Sequence, residues 1–238
     1  LATEKVFEIS EELIAKVRAA AHAPIARTRP QAVEVGVGPS PLEGPAGRGL
    51  VDIVVIGIST GGPQALKSVV PQLPADLPVP VAIVLHMPVG YTEMYARRLD
   101  DISALTVSEA GEGDEVRPGS VLIAPAGRHL TFRKTADGRI VSHLDLRPLD
   151  ALHRPSVDVL FHSAAEVYGG RVHGVVMTGM GSDGREGAAW IKAAGGIILT
   201  EAEESCVVYG MPRSIVGAGL SDASVSLGRM PHAVLERS

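Results

Sequence analysis

Residues 51–62 constrain the fold most strongly, because a run of β-branched apolar residues ends abruptly in glycines. Residues 53–56 predict a strand that is buried on both faces. Pro63 suits the first turn of a helix that follows. The predicted unit is a strand, a tight turn and a helix, with Ser59 in the turn. Backbone N–H groups and the positive end of the helix favour negative charge at such a place.

Three functional motifs contain a glycine-rich turn of this kind. A phosphate-binding P-loop needs Lys and then Ser or Thr after its last glycine, whereas Pro63 and Gln64 follow here. A dinucleotide-binding motif needs glycine at the position of Ser59. Residues 57–61 do fit G-x-S-x-G, in which the flanking glycines let the chain turn sharply and expose a nucleophilic serine. A serine that only caps the next helix remains the alternative.

The size and charge of the chain exclude several classes of protein. With 238 residues, of which 45% are hydrophobic, we expect one sizeable α/β domain and a tail. A formal net charge of −5 and the lack of a long basic run argue against a nucleic-acid groove. An aromatic content of only 3% also argues against base-stacking surfaces.

Cysteine usage and hydropathy predict a cytoplasmic protein. Cys206 is the only cysteine, which leaves no internal disulfide or cysteine-rich zinc site. No uninterrupted apolar run of about eighteen residues and no signal peptide is visible. Since no H-E-x-x-H or comparable ligand spacing occurs, we expect neither a metal nor another cofactor.

The composition divides the chain into three predicted segments. Residues 1–22 have the apolar spacing of an amphipathic helix. Residues 23–50 are rich in proline and glycine and predict a flexible linker. Residues 51–238 form the predicted α/β domain, which would be the catalytic domain of a hydrolase that uses Ser59. Because the chain begins with Leu1 and a linker follows the first helix, we expect it to be a piece of a longer protein that has lost an upstream domain.

Strand and helix patterns alternate after residue 51, which predicts a three-layer, doubly wound α/β fold with a mainly parallel sheet. Residues 129–146 instead predict an inserted β-hairpin, with its turn at 135–138, that projects as a flap. Ser156 is the predicted cap of a helix that extends to residue 168. About seven parallel strands are expected, at 53–56, 79–85, 105–107, 120–124, 172–178, 197–200 and 224–227.

Three polar residues, Ser59, His86 and Asp183, follow three predicted parallel strands. Ligands of an open parallel sheet bind outside the carboxyl ends of its strands. Serine, imidazole and carboxylate are the groups needed for a nucleophile, a general base and an acid that orients the base. Taken singly, the histidine has a structural alternative in bonding a turn carbonyl, and the aspartate in capping a helix.

Two other residues compete for these roles. His153 is the reserve candidate for the base, because the other histidines lie in the hairpin, within a helix, at the wrong strand end or in the terminal segments. Cys206 is a rival nucleophile without a neighbouring histidine. The order Ser, His, Asp also differs from the Ser, acid, His order of α/β-hydrolases.

Five short blocks of the sequence carry recognisable motifs. They are residues 57–62, 85–88, 154–158, 177–181 and 208–213. In the same order, these blocks resemble the motifs of the chemotaxis protein-glutamate methylesterases, which are also protein-glutamine glutaminases. The resemblance implies Ser59, His86 and Asp183 as the catalytic triad, with Met180 and Thr60 beside the oxyanion. Ser182 departs from the asparagine expected before the catalytic aspartate.

The resemblance also implies the reaction and its partners. A serine hydrolase would demethylate methyl-glutamate side chains of chemotaxis receptors and deamidate glutamine. An N-terminal receiver domain, phosphorylated by a chemotaxis histidine kinase, would precede the linker in the family and is absent here. The alternative from another class is a nucleotide- or phosphate-binding α/β module that uses the turn at residues 57–62.

Overall fold

The computed structural model of the chain describes residues 51–236. The predicted helix at 1–22 and the predicted linker at 23–50 lie outside the described residues. The described strands are β1 (Ile53–Ile58), β2 (Val81–Leu85), β3 (Thr106–Glu109), β4 (Ser120–Ile123), β5 (His129–Lys134), β6 (Ile140–Asp145), β7 (Val172–Val176), β8 (Ile197–Glu201) and β9 (Ala223–Val225). The described α-helices are α1 (Gly62–Val69), α2 (Thr92–Asp100), α3 (Val157–Tyr168), α4 (Arg185–Ala193), α5 (Met211–Gly217) and α6 (Met230–Leu235).

Seven of these strands form one sheet, in the order β3-β4-β2-β1-β7-β8-β9. Every pairing in this sheet is parallel. From the central strand β1 the chain builds one half of the sheet and then returns through β7 to build the other. The strand order therefore reverses between β1 and β7, and the crevice at such a reversal is where doubly wound sheets bind ligands.

The two faces of the sheet are covered by different helices, which confirms the predicted three-layer fold. Along β1, Val54 and Ile56 point into one apolar core, whereas Ile53 and Val55 point into the other. Helices α1, α2 and α6 supply residues to the first core, and α3, α4 and α5 supply residues to the second. A strand that is apolar on both faces is required by this arrangement, because both faces are buried.

The inserted hairpin is present as the antiparallel pair β5 and β6. It is not a free flap, because Leu130 and Phe132 are buried in the same core as α3. The backbone N–H of Phe132 donates a hydrogen bond of 2.8 Å to Ser163 Oγ on that helix. Alternate residues of β5 thus pack inward, and the hairpin covers one end of the layer formed by α3.

One element boundary differs from the predicted one because of proline. Strand β2 begins at Val81 rather than at residue 79, since Pro80 has no N–H to give to the ladder. Helix α5 begins at Met211 and has Pro212 in its first turn, where a missing N–H is tolerated. Within the described part of the chain, no helix has the length and apolar character needed to cross a membrane.

Candidate active site

The parallel register brings the ends of β1 and β2 together. Ile58 pairs with Leu85, the last residue of β2, and the N–H of His86 donates to the carbonyl of Ile58 over 3.2 Å. Ser59 and His86 are the next residues on the two strands, so they are neighbours at the carboxyl edge. Asp183 lies in the glycine-rich turn between β7 and α4, on the other side of β1.

Two of the three predicted catalytic side chains form a direct hydrogen bond. His86 Nε2 lies 2.8 Å from Asp183 Oδ2, and the two side chains are only 12% and 7% exposed. His86 Nδ1 is also buried, and no described residue bonds to it. No described residue bonds to the Ser59 hydroxyl either. Because Nε2 faces the carboxylate, Nδ1 is the nitrogen that remains to accept a proton.

The carboxylate of Asp183 is held by the amino end of α3. The N–H groups of Val157 and Asp158 donate to it over 2.8 and 3.0 Å, and Ser156 Oγ donates over 2.8 Å. Burial alone would raise the pKa of Asp183, but the hydrogen bonds from His86 and from these three donors lower it well below its usual range. Asp183 is therefore ionised at neutral pH, and its negative charge faces His86 Nε2.

This arrangement corrects the predicted role of Ser156. The residue stands at the start of α3, but its side chain makes no capping bond to the helix. The cap is the carboxylate of Asp183, which arrives from a different part of the sequence. One carboxylate thus caps α3 and also binds the His86 imidazole.

The glycines of the G-x-S-x-G pattern have two different functions. Gly61 has φ 86°, a left-handed conformation that lets α1 begin directly after the turn. Gly57 lies inside β1, where a Cβ atom would be 2.3 Å from Val157 Cγ1. Both glycines were predicted to allow the sharp turn, and only Gly61 does so. Gly57 instead allows β1 to lie close to α3.

Peptide geometry gives the direction of two backbone donors. The carbonyl of Ser59 accepts from Gly62 N–H over 2.7 Å, so the Thr60 N–H of the same planar peptide points the opposite way. The carbonyl of Gly179 accepts from Gly210 and Met211 over 3.0 and 2.9 Å, so Met180 N–H also points away from its bonded carbonyl. In the described part of the chain, neither N–H donates a hydrogen bond.

The two glycine-rich turns are in close contact. A Cβ atom on Gly179 would lie 2.8 Å from Ser59 Cβ and 2.3 Å from Met211 Sδ. Only glycine permits this approach, which brings the peptide that carries Met180 N–H next to Ser59. The backbone of both turns can therefore stabilise negative charge close to the Ser59 hydroxyl.

The reserve base, His153, lies against the predicted one. Its ring stacks on His86, with centroids 4.2 Å apart. Burial, together with the neighbouring His86, lowers the pKa of His153. Its stacked ring restricts how His86 can turn.

His129 supports the same region, although its place in the hairpin argued against a role. Its ring is fully buried, and Nδ1 accepts from Ser156 N–H over 3.2 Å while Nε2 donates to the Pro148 carbonyl over 3.3 Å. Burial lowers the pKa of His129, which is consistent with this neutral tautomer. The interaction spans 27 residues along the chain, so no local pattern in the sequence indicates it.

A cavity of about 570 Å³ borders Asp183 on the side of α3 and α4. Its lining combines the apolar Leu152 and Trp190 with the carboxyl of Asp158. Burial raises the pKa of Asp158 to about 6, and the negative charge of Asp183 adds to the increase.

Cys206, the rival nucleophile, donates to the carbonyl of Glu201 over 3.8 Å, and burial raises its pKa to about 12.

No cluster of three or more His, Cys, Asp or Glu residues in the described range is arranged to hold a metal ion.

The sequence model of the CheB methylesterase family matches residues 54–234. The chain belongs to the CheB methylesterase family. The match begins at the second residue of β1 and ends in α6, so it includes part or all of each of the seven strands of the sheet.

Curated relatives within the CheB methylesterase family are longer than this chain. A protein-glutamate methylesterase/protein-glutamine glutaminase of Myxococcus xanthus is 49% identical over 231 residues, which are 97% of this chain and 65% of that protein. One from Oleidesulfovibrio alaskensis is 43% identical over 194 residues, which are 82% of this chain and 52% of that protein. The chain thus spans about half to two-thirds of the length of these relatives.

A solved structure corresponds to the described domain. The crystal structure of the CheB methylesterase catalytic domain of Thermotoga maritima is 42% identical and has a TM-score of 0.76. The match covers 78% of this chain and 98% of that domain. The resemblance found in the sequence motifs and the predicted fold class are both confirmed.

Proposed function

We propose that this chain is a serine hydrolase that demethylates methyl-glutamate side chains and deamidates glutamine side chains of chemotaxis receptors. The observation that carries the proposal is the hydrogen bond between His86 and Asp183 at the strand ends beside Ser59. The names of the relatives, protein-glutamate methylesterase/protein-glutamine glutaminase, supply the reaction. The geometry by itself supports acyl transfer.

In the proposed reaction, Ser59 Oγ attacks the ester carbonyl of the substrate and its proton passes to His86 Nδ1. Asp183 stabilises the imidazolium through Nε2. The N–H groups of Thr60 and Met180 donate to the oxyanion, and collapse of the intermediate releases methanol with the proton from His86. Water then loses a proton to His86 and hydrolyses the acyl-enzyme, which regenerates Ser59. A glutamine side chain would lose ammonia by the same steps.

The test is methanol release from a chemoreceptor fragment that carries glutamate methyl esters. We expect Ser59→Ala to lower turnover by about 10⁴-fold or more, because an activated nucleophile contributes that much in serine hydrolases. A fluorophosphonate should label the wild-type chain at Ser59 and leave Ser59→Ala unlabelled. Full turnover by a folded Ser59→Ala chain contradicts the proposal.

The nucleotide- or phosphate-binding module remains the alternative from another class. Membership of the CheB methylesterase family does not favour it. Titration of the chain with ATP separates the two hypotheses, since saturable binding that Gly61→Val abolishes, without labelling of Ser59, would favour the alternative.

The partners and location belong to the same proposal. The substrates would be the cytoplasmic helices of methyl-accepting receptors, in the cytoplasm. A receiver domain, phosphorylated by a chemotaxis histidine kinase, would precede the linker in a longer protein. The greater length of the relatives is consistent with additional residues in such proteins.

A further inference from the structure

Thr178 connects the two glycine-rich turns of the site. It follows β7 and is 1% exposed. Its hydroxyl donates to the Thr60 carbonyl over 2.9 Å and accepts from Val208 N–H over 3.0 Å. The Val208 carbonyl lies farther away, at 3.4 Å, so the single hydroxyl proton is better used on Thr60.

On the first turn, Thr178 holds both ends of the Ser59–Thr60 pair. Its carbonyl accepts from Ser59 N–H over 3.0 Å, while its hydroxyl binds the carbonyl of Thr60. The peptide between these two anchors carries Thr60 N–H. Since both flanking peptides are fixed, Thr60 N–H can turn only if this one peptide rotates about its two Cα atoms. That rotation would break the hydrogen bond from Gly62 N–H to the Ser59 carbonyl.

On the second turn, the same hydroxyl anchors the loop that orients Met180. Val208 donates to Thr178 Oγ1, and the carbonyl of Val208 accepts from Gly179 N–H over 3.0 Å. The next residues of this loop, Gly210 and Met211, bind the carbonyl of Gly179. The loop thus binds both the N–H and the carbonyl of Gly179. The bonds to the carbonyl fix the peptide that carries Met180 N–H, and so they fix the direction of that N–H.

The backbone of Thr178 is bonded to a buried glutamate side chain. Its N–H donates to Glu201 Oε2 over 2.9 Å, and Ser205 Oγ donates to the other oxygen over 3.1 Å. Glu201 is the last residue of β8 and is fully buried. The threonine is therefore part of a hydrogen-bond network at the carboxyl edge that includes both turns.

We propose that Thr178 is a positioning residue whose hydroxyl aligns the Thr60 and Met180 N–H donors for the oxyanion, an inference that rests on the proposed hydrolase function. Its loss would leave the Thr60 carbonyl and Val208 N–H without a partner and would free both turns to move. Backbone donors stabilise an oxyanion only when they are aligned before the reaction. The effect should therefore fall on the chemical step.

The test compares Thr178→Val, which keeps the shape but not the hydroxyl, with Thr178→Ser, which keeps the hydroxyl. Thr200→Val is the matched control, because Thr200 is also fully buried and its hydroxyl bonds Ser221 and Ser224, at the far edge of the sheet. Methanol release from the esterified receptor fragment is measured for kcat, KM and pH dependence, and the melting temperature is recorded.

We expect Thr178→Val to lower kcat by about 10- to 100-fold, somewhat less than loss of a direct oxyanion donor. Its KM and the pH midpoint of kcat/KM should stay at wild-type values, because the triad is untouched. Thr178→Ser should restore kcat to within about threefold. Thr200→Val should lower the melting temperature without changing kcat, which separates a catalytic effect from a loss of stability.

Three results would each overturn the proposal. The first is a normal kcat in Thr178→Val, and the second is a Thr178→Ser variant that is as slow as Thr178→Val. The third is a change in Thr178→Val that is confined to KM or to the pH midpoint. If Thr178→Val fails to fold, Thr178→Cys replaces it. A thiol is a weak donor, so its kcat should fall below that of Thr178→Ser, and equality overturns the proposal. Ser59→Ala keeps the two hypotheses apart: its full turnover defeats the hydrolase function, whereas an inactive Ser59→Ala beside a normal Thr178→Val defeats only the role of Thr178.

Discussion

The candidate site has two halves that are built from different kinds of interaction. In the acid-base half, which comprises His86, Asp183 and residues 156–158, side chains are fixed by other side chains and by the amino end of α3. In the turn half, which comprises residues 59–62 and 178–181, backbone groups are fixed mainly by other backbone groups. Charge is concentrated in the first half, and oriented dipoles are concentrated in the second.

This difference determines how each half fails. A substitution in the acid-base half changes a protonation state or a tautomer, so its effect should depend on pH. A substitution in the turn half displaces uncharged donors, so its effect should be independent of pH and should depend on steric fit. Variants in the two halves test whether this division is correct.

The largest effect is expected from Asp183→Asn in the acid-base half. An amide would donate to His86 Nε2, which would place the imidazole proton on Nδ1, the atom that accepts a proton from Ser59 in the proposed reaction. We expect kcat to fall by about 10⁴-fold, as tautomer loss does in other triads. Steady-state methanol release measures it, and circular dichroism confirms the fold.

His153→Asn is the control for Asp183→Asn. It removes the ring that stacks on His86 and leaves the hydrogen bond between His86 and Asp183 intact. We expect a loss of no more than about tenfold. If His153→Asn were as inactive as Asp183→Asn, or if Asp183→Asn were nearly normal, His153 would replace His86 as the candidate base.

The next largest effect is expected from Gly179→Ala in the turn half. The added methyl would meet Ser59 Cβ at 2.8 Å and Met211 Sδ at 2.3 Å, so the two turns must separate. A displacement of about 1 Å can cost about 10²-fold in rate, and we expect a loss of that order in kcat across the whole pH range. Gly228→Ala is the control, because no atom lies within 4 Å of the added methyl. A pH-dependent loss in Gly179→Ala would contradict the division into halves.

The sequence predicted the acid-base half better than the turn half, for a physical reason. Residue type and the alternation of strands indicate that Ser59, His86 and Asp183 lie at one edge of a sheet. The direction of a peptide N–H leaves no trace in residue type. It depends on contacts such as that between Thr178 and Thr60, which are 118 residues apart.

The same limit explains the predictions that were wrong at other residues. Ser156 has the residue type and position of a helix cap, but a carboxylate from a distant turn competes for the same N–H groups and binds them more strongly. Gly57 fits a turn motif, although its requirement comes from Val157 on a facing helix. The hairpin was predicted from its turn, whereas the burial of Leu130 and Phe132 depends on where α3 lies.

A smaller effect, on stability, is expected from Asp158→Asn within the acid-base half. The pKa of Asp158 is about 6 in the folded chain, against an ordinary value of 3.8. A raised pKa means that stability is greatest at low pH and is lost as the pH rises through about 6. An uncharged asparagine avoids this loss and can still accept the N–H of Gly187.

The measurement is the melting temperature of wild type and Asp158→Asn at pH 4 and pH 8. We expect similar values at pH 4 and an advantage for the variant of a few degrees at pH 8, about 1 kcal/mol after allowance for solvent screening. Asp150→Asn is the control, because Asp150 lines the same cavity but is exposed. An equal difference at both pH values would show that the charge of Asp158 is not the cause.

The smallest effect is expected from Cys206→Ser, which tests whether a second nucleophile lies near the turn half. The thiolate is the reactive form of cysteine, and burial, together with the negative charge of Glu201, raises the pKa of Cys206 to about 12. Little thiolate therefore exists at pH 8, so Cys206→Ser should keep kcat within about twofold of wild type. Iodoacetamide at pH 8 should leave the wild-type chain active, whereas fluorophosphonate should inactivate it. Inactivation by iodoacetamide that Cys206→Ser prevents would place a reactive thiol at the site, and the turn half would then hold two nucleophiles rather than one.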